Sequence, residues 1–424
     1  MLKKIDHSNL VVYAILFLLL CIPLNYAYSN VALVVLFIVS LVVYKKITFN
    51  IGLLFPIILY GLMLVSYFWT LDKSLTANAL MKEISLIIIP ISFFFFGKIG
   101  DLQFRKIVEY YAYSIVLYSV IVFLIALVKY FNSHNSSVFY YHELVSKDVN
   151  AIHFSVFVSL AFFILLIDEY KKYYNYLVLS FLGLILLLLS SKTVIFCFFV
   201  LLIIYEVLYS KTAQRLRLRN LIIFGIGLVS ILFIGKVKDR FLSEYKANTT
   251  KSISHNVIDP ITSTVNIISM KEAWSNCVFT PNDYFPGSAF RIYQARIFFE
   301  LMKENNVYFT GFGLGASQSK IETKTIDYNL YQGDDTLDGY QKKNFHNQYL
   351  QLFAEIGLFG FTILVLMILY SIKLSIKNKN YVFFAFTSLM MVVFLTESFL
   401  WRQRGVLFFT TFYCLFHQIN FKKK

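Results

Sequence analysis

The chain has 424 residues, of which 58% are hydrophobic and 15% charged, and its mean hydropathy is +0.66. That composition leaves too little polar surface for a soluble globule and points to a polytopic membrane protein. The net charge of +15 reads as a topological signal with some attraction to anionic lipid, so a nucleic-acid partner is not expected.

A spanning helix needs about 20 apolar residues. In chain order the spans fall near 10–28, 30–44, 51–68, 80–97, 107–128, 150–167, 175–190, 193–209, 220–236, 347–371, 381–396 and 405–420. The expected fold class is therefore all-α, a transmembrane helical bundle of about twelve spans. Short cytoplasmic loops collect Lys and Arg. With a cytoplasmic N-terminus one set of connections carries nineteen, whereas the opposite short connections carry six: Lys73, Lys129, Lys147, Lys192, Arg402 and Arg404. Both termini are thus expected in the cytoplasm, and KTAQRLRLRN reads as a cytoplasmic stop between spans. No cleavable signal peptide is expected, because the first apolar run lacks a small-residue cleavage site. Cys21, Cys197 and Cys414 fall in spans and only Cys277 in an exported loop, so no internal disulfide is expected there.

Apolar runs stop between residues 237 and 346. The chain therefore divides into 1–236 with about nine spans, a large exported loop over 237–346, and 347–424 with about three spans. Loops of that length usually carry function or are disordered. Within it Pro286 and Gly287 punctuate, Ser288 can cap, and AFRIYQARIFFELMKEN reads as a helix. TGFGLGAS follows as a glycine turn, and GDDTLDGY as a solvated acidic tip. Asp334, Asp335 and Asp338 in that tip do not satisfy EF-hand spacing, and no cofactor or metal is expected. At 100° per residue Arg291 shares a face with Ala295, Phe298 and Met302, whereas Arg296 falls with Glu300 and Lys303. Arg296 and Glu300 read as a surface pair, while Arg291 lies on a packing face and wants an anionic partner. Gly357 and Gly360 read as sites of close helix approach.

The run HNQYLQLFAEIGLFGF, His346 to Phe361, sets a polar head on the start of a long apolar helix. It resembles the hallmark segment of the O-antigen ligase and polymerase superfamily, membrane glycosyltransferases that take glycans from a polyprenyl diphosphate carrier. The resemblance keeps the family's order over most of the chain from about residue 60. KDVNAIHF, with Asp148 and Asn150, resembles the element that opens a central span. SSKT follows, with Lys192 where the family usually has arginine. Then come SAFRIYQARIFFELMKENNVYFTGFGLG, the histidine segment, and ESFLWRQRGVLFFTTFY with Glu397, Arg402 and Arg404. The charge-based topology puts Asp148, Lys192, Arg291, His346, Glu397, Arg402 and Arg404 at one exported face, where ionisable groups bordering spans default to function.

The resemblance implies a bacterial inner-membrane enzyme whose site faces the periplasm. Its donor would be a glycan on undecaprenyl diphosphate and its acceptor a hydroxyl of lipid A-core, in a metal-independent, inverting displacement. A polymerase joining repeat units on the same carrier is the alternative. His346 is the expected general base. Arg291 would stabilise the leaving diphosphate, assisted by Lys192 and one of Arg402 or Arg404. Asn347, Asp148 and Asn150 are expected to bind substrate, and Glu397 to pair structurally with Arg402 or Arg404. Two other classes compete: a transporter of a small anion, disfavoured because no inverted repeat is evident, and an assembly protein that docks through the large loop.

Overall fold

A computed structural model of the chain describes residues 7–44, 47–145, 149–167, 173–210, 253–254, 265–334 and 338–419. Asp148, Asp335, the expected span at 220–236 and the first part of the large loop lie outside the described residues. The helices in chain order are α1 His7–Cys21, α2 Tyr26–Val43, α3 Ile51–Ser66, α4 Lys73–Glu83, α5 Ser85–Phe96, α6 Asp101–Ser133, the short α7 Tyr141–Leu144, α8 Ala151–Leu166, α9 Tyr173–Leu188 and α10 Lys192–Ile204. They continue with α11 Met270–Ser275, α12 Gly287–Asn305, α13 Ser317–Asp327, α14 Gln348–Lys377, α15 Tyr381–Val393 and α16 Gln403–Gln418. The expected spans within the described residues fall on helices, although 10–28 runs past the end of α1 into α2 and 80–97 is divided between α4 and α5. Among those residues five helices are long and apolar enough to cross a membrane: Tyr26–Val43, Lys73–Phe96, Asp101–Ser133, Lys192–Tyr209 and Gln348–Lys377.

Local chemistry sets the helix starts. Asn25, Asn50, Asp72, Asn150, Asn347 and Asn380 each accept a backbone N–H of the first turn through the side chain, satisfying donors that have no partner inside the helix. Two helices form the middle of the bundle. Arg404–Gln418 of α16 are all buried, as is α8 apart from Ile152. Against lipid, tight packing rather than exclusion of water holds such helices together. Phe383 stacks on Phe416 at 4.7 Å, and Phe386, Phe408 and Phe412 continue the aromatic layer.

Among the described residues the all-α architecture is interrupted by a sheet. Ile253–Ser254, Val265–Ile267 and Asp283–Tyr284 form a small three-stranded sheet, antiparallel then parallel, too short and too polar in sequence to register as alternation. The helix expected from AFRIYQARIFFELMKEN forms as α12, although Pro286 rather than Ser288 stands at its N-cap, with no side-chain cap bond. Phe279, Phe285, Phe290, Tyr293, Phe298 and Phe345 pack a second core around it, separate from that of the bundle.

α14 is broken at Gly357, where φ is 70° and ψ is −164°. The glycine turn fills the break: Phe312 and Gly313 donate their N–H groups to the carbonyls of Ala354 and Glu355 at 2.8 and 2.9 Å, and Leu358 donates to Tyr308 at 2.8 Å. Carbonyls freed by the kink are thereby satisfied, as an irregular backbone near a membrane requires. Gly357 thus admits a loop, not the neighbouring helix expected for it. A Cβ there would meet the carbonyl of Phe309.

Candidate active site

The polar head of α14 is stitched residue by residue to the loop that follows α15. Asn347 caps α14 by accepting from Tyr349 and Leu350, and donates through Nδ2 to the carbonyl of Leu395 at 3.1 Å. The Gln348 backbone N–H donates to Phe394 at 2.8 Å, and its Oε1 accepts from the Leu400 N–H at 2.7 Å. Arg291 reaches the same loop from α12, with Nε donating to the Thr396 carbonyl at 2.9 Å and Nη1 to Gly287 at 3.0 Å.

His346, just ahead of the cap, takes the left-handed conformation at φ 47°, which costs a non-glycine residue energy and persists only where its surroundings hold it. Its Nδ1 lies 3.3 Å from Oε2 of the buried Glu397, and the edge of Phe290 abuts its ring at 5.5 Å. Glu397 feels opposed forces. Burial pushes its carboxyl up, but the His346 hydrogen bond and the nearby His346, His153 and Arg291 groups prevail and hold it below the usual carboxylate range. An ionised Glu397 can accept a hydrogen bond from the His346 Nδ1–H, and in that tautomer of the ring Nε2 is the acceptor nitrogen.

Beside His346 opens a cavity of about 800 Å³, lined by Tyr26, Lys82, Tyr141, His142, Asn150, Ile152, Gly287, Phe290, Arg291, Asp338, Lys342, Lys343, Asn344, His346, Glu397, Trp401, Arg402 and Gln403. Five lysines and arginines stand in that wall against two carboxylates. One carboxylate, Asp338, is engaged by Lys342 at 2.9 Å, and the other, Glu397, by His346. Such a wall suits an anionic ligand, and arginine's planar fork matches phosphate oxygens.

Of the residues expected to act together, the structure brings His346, Arg291, Asn150, Glu397 and Arg402 to this cavity. Asn150 also accepts from Ile152 as the N-cap of α8. Asn347 serves as cap and clip. Glu397 differs from the expectation of a pair with Arg402 or Arg404: it pairs with His346, because the α14 head and the 394–400 loop are laced together. Arg402 is exposed in the cavity wall, whereas Arg404 is buried, with Nη2 on the carbonyl of Leu24 and the guanidinium 4.6 Å from the Tyr26 ring. Lys192 opens α10 and is not among the lining residues. Arg296 and Glu300 form their pair at 2.7 Å, extended by Tyr328, Asn276 and Lys324 into a brace that joins α12 to α13.

Lys82, Lys342, Lys343 and Trp401 also line the cavity, beyond the residues expected from the sequence. Lys82 was hidden inside an expected span at 80–97, which the structure splits after Glu83. The dibasic Lys342–Lys343, three residues ahead of His346, was a readable signal.

No curated protein matches the chain. The family model described as O-antigen ligase, Wzy_C, matches residues 176–365. That stretch, which includes Arg291, His346 and the helix break at Gly357, is similar to the O-antigen ligase family.

Proposed function

We propose that the chain is an O-antigen ligase-type glycosyltransferase that moves a glycan from undecaprenyl diphosphate to a hydroxyl of lipid A-core, at the periplasmic face of a bacterial inner membrane. The observation that carries this reading is the His346–Glu397 pair opening onto a cavity walled by Arg291 and Arg402. His346 Nε2 takes the proton of the acceptor hydroxyl as that oxygen attacks the anomeric carbon. The bond from that carbon to the diphosphate oxygen breaks, and the lipid diphosphate departs with the electron pair. Attack opposite the leaving group inverts the centre. Arg291, held by two backbone carbonyls, turns the outer edge of its fork to the departing diphosphate, where preorganised cations lower the barrier most. Arg402, Lys82 and Lys343 add charge, and Asn150 contributes its polar edge.

The test is a lipopolysaccharide gel profile of a strain lacking the gene and of the same strain carrying the wild-type copy, with carrier-linked glycan analysed in parallel. Loss of capped lipopolysaccharide with accumulation of long carrier-linked chains supports the ligase. Core bearing a single repeat supports a polymerase on the same carrier instead. An unchanged profile overturns both.

A further inference from the structure

Three distant segments bring exposed aromatic side chains to one place on the outside of the molecule. Phe68 ends the first segment and is 84% exposed, Phe309 lies on the turn after α12 at 64%, and Phe359 follows the break in α14 at 59%. They are not scattered. The rings of Phe309 and Phe359 stand 6.3 Å apart, Trp69 Nε1 donates to the Thr310 carbonyl at 3.1 Å, and the Leu71 N–H donates to Phe312 at 3.1 Å. Phe359 belongs to a helix long and apolar enough to cross a membrane, so the patch continues onto that helix. Lys73 Nζ lies 5.9 Å over the Tyr67 ring, an aromatic and a cation together as they occur where a membrane meets water.

We propose that the Tyr308–Phe309 turn is a bilayer anchor, its two rings entering the interfacial layer of the membrane beside Phe68 and Phe359. An exposed aromatic patch in water carries a hydrophobic cost, whereas ring-bearing turns are stabilised at the headgroup level. The consequence reaches the site. The turn follows directly on α12, which carries Arg291, and precedes the glycine turn that fills the α14 break behind His346. Anchoring it fixes the height of both residues relative to the bilayer, where a lipid-linked donor must arrive.

The experiment places a nitroxide on Phe309→Cys, and separately on Tyr308→Cys, in a Cys277→Ser background of the full chain in phosphatidylethanolamine–phosphatidylglycerol liposomes. Collision with oxygen and with a water-soluble nickel chelate is measured for each, with Phe359→Cys as the lipid reference and Glu322→Cys as the aqueous one. The expected result is oxygen contact exceeding nickel contact at both turn positions, close to the Phe359→Cys pattern. Nickel contact dominating at both, as at Glu322→Cys, overturns the anchor. Dipolar broadening between labelled copies also overturns it, assigning the patch to a second chain. None of these readouts depends on glycan transfer.

Discussion

Glu397 stands behind His346, with Oε2 3.3 Å from Nδ1, although 50 residues and two helices separate them in the chain. The pairing engages Nδ1 of an imidazole that lines the cavity. Glu397→Gln keeps the shape but removes the charge that selects the Nδ1–H tautomer. Transfer is expected to fall by roughly 10²-fold, within the range that general-base assistance supplies. The same carboxyl is held below its usual range, so its stabilising contribution is fully present above about 4.3, the unfolded glutamate value, and fades as pH falls through the lower folded value. Melting curves of wild type and Glu397→Gln should therefore differ at neutral pH and converge in acid. A constant offset down to pH 3 contradicts the pairing.

The proposed role of Arg291 uses its planar fork, not only its charge. Arg291→Ala is expected to lower transfer by about 10²–10³-fold, the scale of a lost transition-state donor. Arg291→Lys should recover little of it, because an ammonium cannot hold the Thr396 carbonyl and a phosphate oxygen pair in one plane. Recovery to near wild-type rates by lysine, measured with the carrier-linked donor, would reduce Arg291 to a point charge.

Arg402 and Arg404 are two residues apart and do different work. Arg404→Ala leaves the Leu24 carbonyl and the Tyr26 ring without their guanidinium, and should lower the melting temperature by about 2–4 °C for each 1 kcal/mol lost. Arg402→Ala should leave the melting temperature in place and raise the donor concentration needed for half-maximal rate. Thermal melts and donor titrations of the two purified variants separate the roles, and the reverse pattern would exchange them.

Gly357→Ala meets two obstacles together, a positive φ and the carbonyl of Phe309. The left-handed conformation alone costs a non-glycine residue about 1–3 kcal/mol, and the glycine turn must also withdraw. Loss of stable protein from detergent extracts is expected. Gly61→Ala, whose added methyl meets open space, should be tolerated.

The helices were legible because the apolar runs are long and uninterrupted, and the proposed base His346 because a polar triad heads one of them. What could not be read were relationships made by folding at a distance. Glu397 has two arginines nearby in sequence, so pairing with them was the simpler reading, and only the lacing of Asn347 to Leu395 and Gln348 to Leu400 turns it to His346. Lys82 lay in what reads as one continuous apolar span, since the turn at Ile84 has no glycine or proline to mark it. Gly357 announced a close approach but not that a loop would be its partner.

The most direct test of the chemistry is transfer by the purified full chain in liposomes, with a polyprenyl-diphosphate-linked glycan as donor and lipid A-core as acceptor, comparing wild type with His346→Ala and measuring donor binding alongside. The expected result is a loss of at least about 10²-fold in transfer with donor binding retained. Transfer by His346→Ala within a few-fold of wild type would contradict the assignment of His346 as the base.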